Sequence, residues 1–354
     1  MIDMQDIIIT QAAESKLSAV DFNNLPFGRT FTDHMLVADY NEGEWKNVEI
    51  KPYQPLSFDP SIAALHYGQA IFEGVKAYKT IEGKAQIFRP EDNFKRFNVS
   101  ARRMEMPEVP EEIFMGGLKK LIEIDQEWIP AKKDHALYIR PFMFATDEMI
   151  GVRPSLTYKF MIILSPTGPY YSAPMKIFVE EKYVRAVKGG VGYAKAAGNY
   201  GSAMHPTEEA KRKGYDQVLW TDAVEHKYVQ ECGTMNVFFI IGNKAITPAL
   251  ELGTILAGVT RDSTIKLLEE MGLEVEERNL SIDEIVSAYK DGSLKELFGT
   301  GTAVTISMIK ELSYRDLKMD FDVESWKIAP KIKDNMDAIK DGSAADRFNW
   351  MTII

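Results

Sequence analysis

Lys195 stands in Gly189-Gly-Val-Gly-Tyr-Ala-Lys-Ala-Ala-Gly-Asn-Tyr-Gly201, a glycine-dense stretch with small or apolar residues on both sides of the lysine. Glycine density lets a backbone bend tightly and approach a ligand closely. A lysine without a carboxylate neighbour in such surroundings can keep its amine neutral and nucleophilic. A flexible loop with a solvated lysine is the plain alternative, because such loops are common. Glu231 is a candidate acid, set in the otherwise uncharged run Tyr228-Val-Gln-Glu-Cys-Gly-Thr234; an ordinary strand-end carboxylate is its alternative. Gly258-Val259-Thr260 opens an expected helix, where N–H groups and the helix dipole attract anions. The Gly299-Thr-Gly-Thr302 turn offers hydroxyls and amides. Neither follows the P-loop or dinucleotide pattern, so a nucleotide has little support. A phosphate seat with an electrophile-seeking lysine points to pyridoxal 5'-phosphate, which needs a lysine, an acid near its ring nitrogen and donors for its phosphate.

Those residues need elements to hold them. His34–Tyr40 and Val48–Ile50 read as strands joined by a turn at 41–44, and Ala85–Phe88 as a short strand. Pro90 opens a helix with Phe94, Phe97, Ala101 and Met104 in one apolar stripe; Arg96 lies off it, unranked against Arg102 and Arg103. A second helix is expected from Glu111 to Trp128. His135–Phe144 reads as a strand with Tyr138 and Arg140 on one face and Leu137 and Ile139 on the other. Arg140 beside Tyr138 suits a carboxylate clamp, and a surface salt bridge equally well. Tyr158–Leu164 is a continuous apolar strand. Further on, Lys176–Val184 and Gln217–Trp220 read as strands, with Glu208–Lys213 in a helix stopped by Gly214. Val237–Ile241 and Lys244–Thr247 form a hairpin, and a helix carries Ile265, Leu268 and Met271 inward.

A chain of 354 residues exceeds one typical core, so two domains are expected. The proline-rich segment Ser165–Pro174 is the boundary, which gives an N-terminal domain over 1–167, a linker over 168–178 and a C-terminal domain over 179–354. Hydrophobic content of 45% supplies packed cores and argues against disorder. The net charge of −10, with no Lys/Arg block, disfavours nucleic acid and anionic membrane. The single cysteine, Cys232, rules out an internal disulfide and fits a reducing compartment. No signal peptide or membrane span is visible, and the expected location is cytoplasmic. No metal site is expected.

Taken in order, the lysine stretch, Glu231-Cys-Gly-Thr-Met-Asn236, Leu256-Ala-Gly-Val-Thr-Arg261 and Gly299-Thr-Gly-Thr-Ala303 closely resemble the fold type IV pyridoxal-phosphate aminotransferases. The N-terminal half resembles the branched-chain amino acid aminotransferases through Phe27-Gly-Arg-Thr-Phe-Thr-Asp-His-Met-Leu36, Leu65-His-Tyr67, Phe72-Glu-Gly74 and Leu137-Tyr-Ile-Arg-Pro141. The resemblance covers nearly the whole chain.

It implies a mixed α/β fold, a smaller N-terminal and a larger C-terminal domain joined by an interdomain loop, and a homodimer. By the same resemblance Lys195 is the Schiff-base lysine, Tyr200 bonds the cofactor's phenolic oxygen and Glu231 pairs with its pyridine nitrogen. Arg96, Val259, Thr260 and Thr302 hold the phosphate. Tyr138, Thr302 and Ala303 take the substrate carboxylate, and Tyr67, Phe72, Arg140 and Tyr170 line the side-chain pocket. The implied reaction moves the amino group of leucine, isoleucine or valine to 2-oxoglutarate. A D-amino acid aminotransferase or an aminodeoxychorismate lyase of the same fold is the runner-up, and a non-catalytic binding protein a third reading. Some members carry Cys-x-x-Cys where this chain has Val304 and Ser307, which puts thiol regulation in doubt here.

Overall fold

The computed structural model describes residues 7–170 and 173–354. The first six residues of the expected lead-in, and Tyr171 and Ser172 in the expected linker, lie outside the described residues. Contacts divide the chain into two compact units. The first takes the chain up to Tyr170 together with Ala194–Gly198 and Asp337–Ile354; the second takes the segment ending at Tyr193 and Asn199–Met336.

In the first unit, β1 (Ile8–Ile9), β2 (His34–Asn41), β3 (Glu44–Pro52), β4 (Ala70–Phe72), β5 (Val75–Lys79), β6 (Ala85–Phe88), β7 (Ala136–Ala145) and β8 (Tyr158–Thr167) share a sheet with the last strand, Met351–Ile353. The order is β1-β3-β2-β8-β7-β5-β6 and then the last strand, with β4 on β7. Only the β1–β3 pair is parallel among these described pairings. Strand alternation sends Leu36, Leu137, Ile139, Phe160 and Ile162 into the main core, and leaves Met35, Val37 and Met161 in a second cluster. The helix Pro90–Arg103 packs on that core through Phe97, whose ring lies 5.4 Å from those of Phe114 and Phe160.

The returns of Ala194–Gly198 and Asp337–Ile354 to this unit have a visible cause. Ile71 bridges Ala196, and Met351–Ile353 pairs antiparallel with β6. Arg89 N–H donates to Trp350 O at 2.7 Å, and Gln86 Nε2 donates to Lys340 O at 2.8 Å. The N-terminal unit therefore takes in more than the N-terminal stretch of sequence.

In the second unit, β9 (Met175–Glu180), β10 (Gln217–Thr221), β11 (Val229–Cys232), β12 (Asn236–Ile241), β13 (Lys244–Thr247), β14 (Glu274–Glu277), β15 (Leu294–Gly301), β16 (Thr305–Tyr314) and β17 (Leu317–Asp320) form a mixed sheet. The order is β11-β10-β9-β16-β15-β12-β13-β14, with β17 on β16.

Several elements differ from the sequence reading. The Glu111–Trp128 helix is three pieces: a π-turn at Glu112–Gly116, an α-helix at Gly117–Ile124 and a 3-10 turn at Gln126–Trp128. Both Ile113 and Phe114 N–H donate to Pro110 O, a 3-10 and an α bond that open the segment. The helix expected near 208–213 begins at Ala197 and runs to Arg212, so the second half of the glycine-dense stretch is helical. Gly299 to Gly301 complete β15, and the turn is confined to 302–304.

Candidate active site

Lys195 lies in the first unit, held by its backbone on two sides. Its N–H donates to Ser100 Oγ at 2.9 Å, and its carbonyl accepts from Phe72 N–H at 3.1 Å. Its Nζ stands 5.0 Å from the centroid of the Phe72 ring. The residue after Phe72, Glu73, is fully buried, and its carboxylate meets Arg96 at two points, Nε–Oε1 2.7 Å and Nη2–Oε2 2.8 Å. Asn93 Nδ2 and Gly74 N–H also donate to Glu73 Oε2, at 2.8 and 3.0 Å. Burial pushes the Glu73 carboxyl up, but Arg96, then Lys195 and Asn93, outweigh it and hold it below the usual carboxylate range. Asn93, Arg96 and Ser100 recur at i, i+3 and i+7 on the helix Pro90–Arg103, beside its apolar stripe.

One face of β7 carries the second group of this unit. Arg140 Nη2 donates to Tyr138 Oη at 2.9 Å, and the guanidinium stands 4.5 Å from the Phe72 ring centroid. Arg140 Nε is buried without a hydrogen-bond partner among the described residues. The Phe27 ring lies edge-on to Tyr138 at 4.8 Å and to Tyr170 at 5.0 Å, which links those two residues. Gly74 is needed beside them, since a Cβ there would stand 2.4 Å from Tyr138 Oη. Tyr67 ends the short helix Ala63–Tyr67, 40% exposed, and is not gathered around Arg140 in the described contacts.

The second unit holds Glu231 and the start of the helix Val259–Glu270. Glu231, on β11, accepts Leu256 N–H on Oε1 at 2.7 Å and pairs with Arg185 Nε on Oε2 at 2.9 Å. Arg185 is fixed in turn by the carbonyls of Thr254 and Gly192, at 2.8 and 3.2 Å. Burial, and then the Glu231 charge, push the adjacent Cys232 thiol up, so it stays protonated and inert. Val259 and Thr260 begin the helix Val259–Glu270, whose N-cap residue, Gly258, has extended backbone. Asn236 crowds that start: a Cβ on Gly258 would lie 2.0 Å from Asn236 Oδ1. Opposite Asn236 in the β12–β15 register is Thr300, whose Oγ1 is buried without a partner. Tyr200 sits in the first turn of the helix Ala197–Arg212, and Thr302 and Ala303 in the turn between β15 and β16.

Glu73, Asn93, Ser100, Arg185, Asn236 and Phe27 were not singled out from the sequence. Glu73 had a signal, as the one charge in Ala70-Ile-Phe-Glu-Gly-Val75, and the i, i+3, i+7 polar row on the helix was another. Arg185 had none, lying among other charged residues at 180–188. The first unit offers an amine, and the second a carboxylate paired with a guanidinium and a helix start; each is a kind of group that an aldehyde carrying a phosphate and a basic ring nitrogen needs.

The family described as amino-transferase class IV matches residues 70–312. A probable branched-chain-amino-acid aminotransferase of Staphylococcus epidermidis is 48% identical, covering 98% of each chain. Among solved structures, the branched-chain amino acid aminotransferase of Escherichia coli superposes with a TM-score of 0.73 at 25% identity, over 90% of this chain and 98% of that one. A T.th. branched-chain amino acid aminotransferase, solved with pyridoxamine 5'-phosphate, shares the fold at a TM-score of 0.71 and 24% identity, over 89% and 97%. The chain belongs to the class IV aminotransferases, among the branched-chain-amino-acid aminotransferases.

Proposed function

We propose that the protein moves the amino group of leucine, isoleucine or valine to 2-oxoglutarate, reversibly, with pyridoxal 5'-phosphate joined to Lys195. The observation that carries this reading is the setting of Lys195, whose backbone is held by Ser100 and Phe72 and whose Nζ stands 5.0 Å from the Phe72 ring centroid. Bound, the cofactor supplies an electron sink for the charge left when the substrate Cα loses its proton. Lys195 is the group that takes that proton from Cα and returns it at the cofactor's C4′. Glu231 keeps the ring nitrogen protonated, and Tyr200 donates to the phenolic oxygen. Arg96, the amides of Val259 and Thr260, and Thr302 hold the phosphate. Tyr138, Thr302 and Ala303 orient the substrate carboxylate. Phe72 and Tyr170 wall the side chain, with Arg140 and Tyr67 at the edge.

The expected linker at 168–178 runs into β9, which begins at Met175, and in this reading the protein works in the cytoplasm. It works as a homodimer. Support for the dimer comes from an exposed apolar surface: Leu65, Ile150, Val152 and Leu156 are all more than half exposed. Two hydrogen bonds draw their segments together, Ala63 N–H to Asp147 O at 2.8 Å and Met149 N–H to Ser61 O at 3.1 Å.

The test is turnover of purified protein with L-leucine and 2-oxoglutarate, measured against D-alanine as the rival donor. Glutamate formation from L-leucine with little from D-alanine is the expected result. The reverse preference would assign the chain to the D-amino acid branch.

A further inference from the structure

We propose that Asn236 is a positioning residue that fixes the start of the helix Val259–Glu270 relative to Glu231, so that a ring nitrogen and a phosphate can be held at once. The inference rests on the reading of Glu231 as the partner of the ring nitrogen and of the Val259 and Thr260 amides as donors to the phosphate. Every contact that carries it lies within the second unit.

Leu256 is held through both of its backbone groups. Its N–H donates to Glu231 Oε1 at 2.7 Å, and its carbonyl accepts from Asn236 Nδ2 at 2.9 Å. The two side chains come from one hairpin, Glu231 on β11 and Asn236 at the start of β12. That turn is fastened on several sides. Cys232 and Met235 exchange two backbone hydrogen bonds of 2.9 Å, Gly233 N–H donates to Val218 O at 2.7 Å, and Trp220 Nε1 donates to Gly233 O at 2.9 Å. The separation of Glu231 from Asn236 is therefore built into the strands.

Two residues after Leu256, Gly258 is the N-cap of the helix and lies against the same side chain. A Cβ there would stand 2.0 Å from Asn236 Oδ1 and 3.2 Å from its Cγ. Asn236 thus meets the chain on either side of Ala257 and sets where the helix begins. Across the sheet from it, Thr300 Oγ1 is buried without a partner among the described residues, so the Asn236 amide bonds to Leu256 rather than across the strands. Further into the helix, Arg261 Nη2 donates to Pro248 O at 2.9 Å and to Glu277 Oε2 at 2.7 Å. Those contacts fasten the helix to β14 and to the residue after β13, whereas Asn236 fastens it to the hairpin that carries Glu231.

The experiment titrates cofactor-stripped protein with pyridoxal 5'-phosphate and with pyridoxal, followed by absorbance. The two ligands share the aldehyde and the ring nitrogen and differ in the phosphate, so the ratio of their affinities reports the hold on phosphate. Asn236→Asp keeps the shape of the side chain but has no donor for the Leu256 carbonyl. It should lower the ratio about tenfold, the effect of losing one buried hydrogen bond, and leave the pyridoxal affinity near that of the parent. A ratio equal to the parent's, whether both affinities fall together or neither falls, would overturn the proposal. Should Asn236→Asp fail to fold by circular dichroism, Gly258→Ala reads the same contact from the helix side. Its ratio should also fall, and an unchanged ratio would again overturn the role. The parent keeps the two readings separable. A parent that binds pyridoxal as tightly as pyridoxal 5'-phosphate defeats the phosphate reading of the Val259 and Thr260 amides, and the proposal with it. A parent that prefers the phosphate ester, with an unmoved ratio in the variants, defeats only the role of Asn236.

Discussion

Lys195 is asked to bind a cofactor and to move a proton, so Lys195→Ala should cost at least ~10³-fold in turnover, the scale on which loss of an acid/base group is felt. Added methylamine restoring part of the rate would separate the proton role from the covalent one. Arg140 makes a narrower prediction. Its unsatisfied Nε and its place over Phe72 suit a second carboxylate better than a leucine side chain. A charge-assisted hydrogen bond contributes roughly 1.5–3 kcal/mol, so Arg140→Met should weaken the glutamate half-reaction by about one to two orders of magnitude and the leucine half-reaction much less. Stopped-flow measurement of each half-reaction checks this; equal losses would make Arg140 structural. Glu73 adds a stability term with a definite sign. Its folded carboxyl titrates below the usual range, so its contribution is present above the unfolded pKa and fades as pH falls through the lower folded value. Urea denaturation across the acid range should show a flatter acid limb in Glu73→Gln. At this scale the sequence displayed Lys195 and Glu231 as unusual neighbourhoods. It could not display Glu73 with Arg96 or Glu231 with Arg185, because those partners are 23 and 46 positions apart.

The helix Pro90–Arg103 shows what an element can reveal in advance. Its apolar stripe was legible from spacing, and Phe97 and Ala101 are indeed buried in the core. The adjacent row Asn93, Arg96, Ser100 was not, since a polar row on a helix reads as solvated until a buried partner faces it. Truncating the stripe should therefore reach the site: Phe97→Ala should cost about 3–5 kcal/mol of stability and loosen the Arg96 contact as the helix shifts. Chemical denaturation gives the first quantity, and the affinity for added cofactor reads the second. The start of the helix Val259–Glu270 depends on close approach. With a Cβ 2.0 Å from Asn236 Oδ1, Gly258→Ala must displace either the side chain or the helix start. We expect about 1–3 kcal/mol of overpacking and a weaker hold on phosphate. Glycine lowers helix preference, yet Gly198 and Gly201 occupy exposed positions in the first turns of a helix, where that cost is tolerated.

Over the whole molecule, strand order was beyond local pattern. The last strand joins β6 across more than 250 positions, and Ala194–Gly198 belongs with a sheet whose other described strands, save the last, come before it in sequence. The resemblance of ordered motifs did what periodicity could not, because it draws on the arrangement of the whole chain. The exposed apolar surface around Val152 belongs to this scale too. Val152→Asp with Leu65→Asp should shift the protein from dimer to monomer in light scattering; an unchanged monomer mass in the parent would remove the dimer from the account. The central claim is that a branched-chain amino acid and 2-oxoglutarate react in turn at a cofactor held by Lys195. The most direct measurement is the absorbance of the purified, cofactor-loaded protein on rapid mixing. L-leucine should bleach the bound cofactor's visible band, 2-oxoglutarate should restore it, and Lys195→Ala should give neither change at the parent's rate. Bleaching by D-alanine but not by L-leucine, or an unaltered cycle in Lys195→Ala, would contradict it.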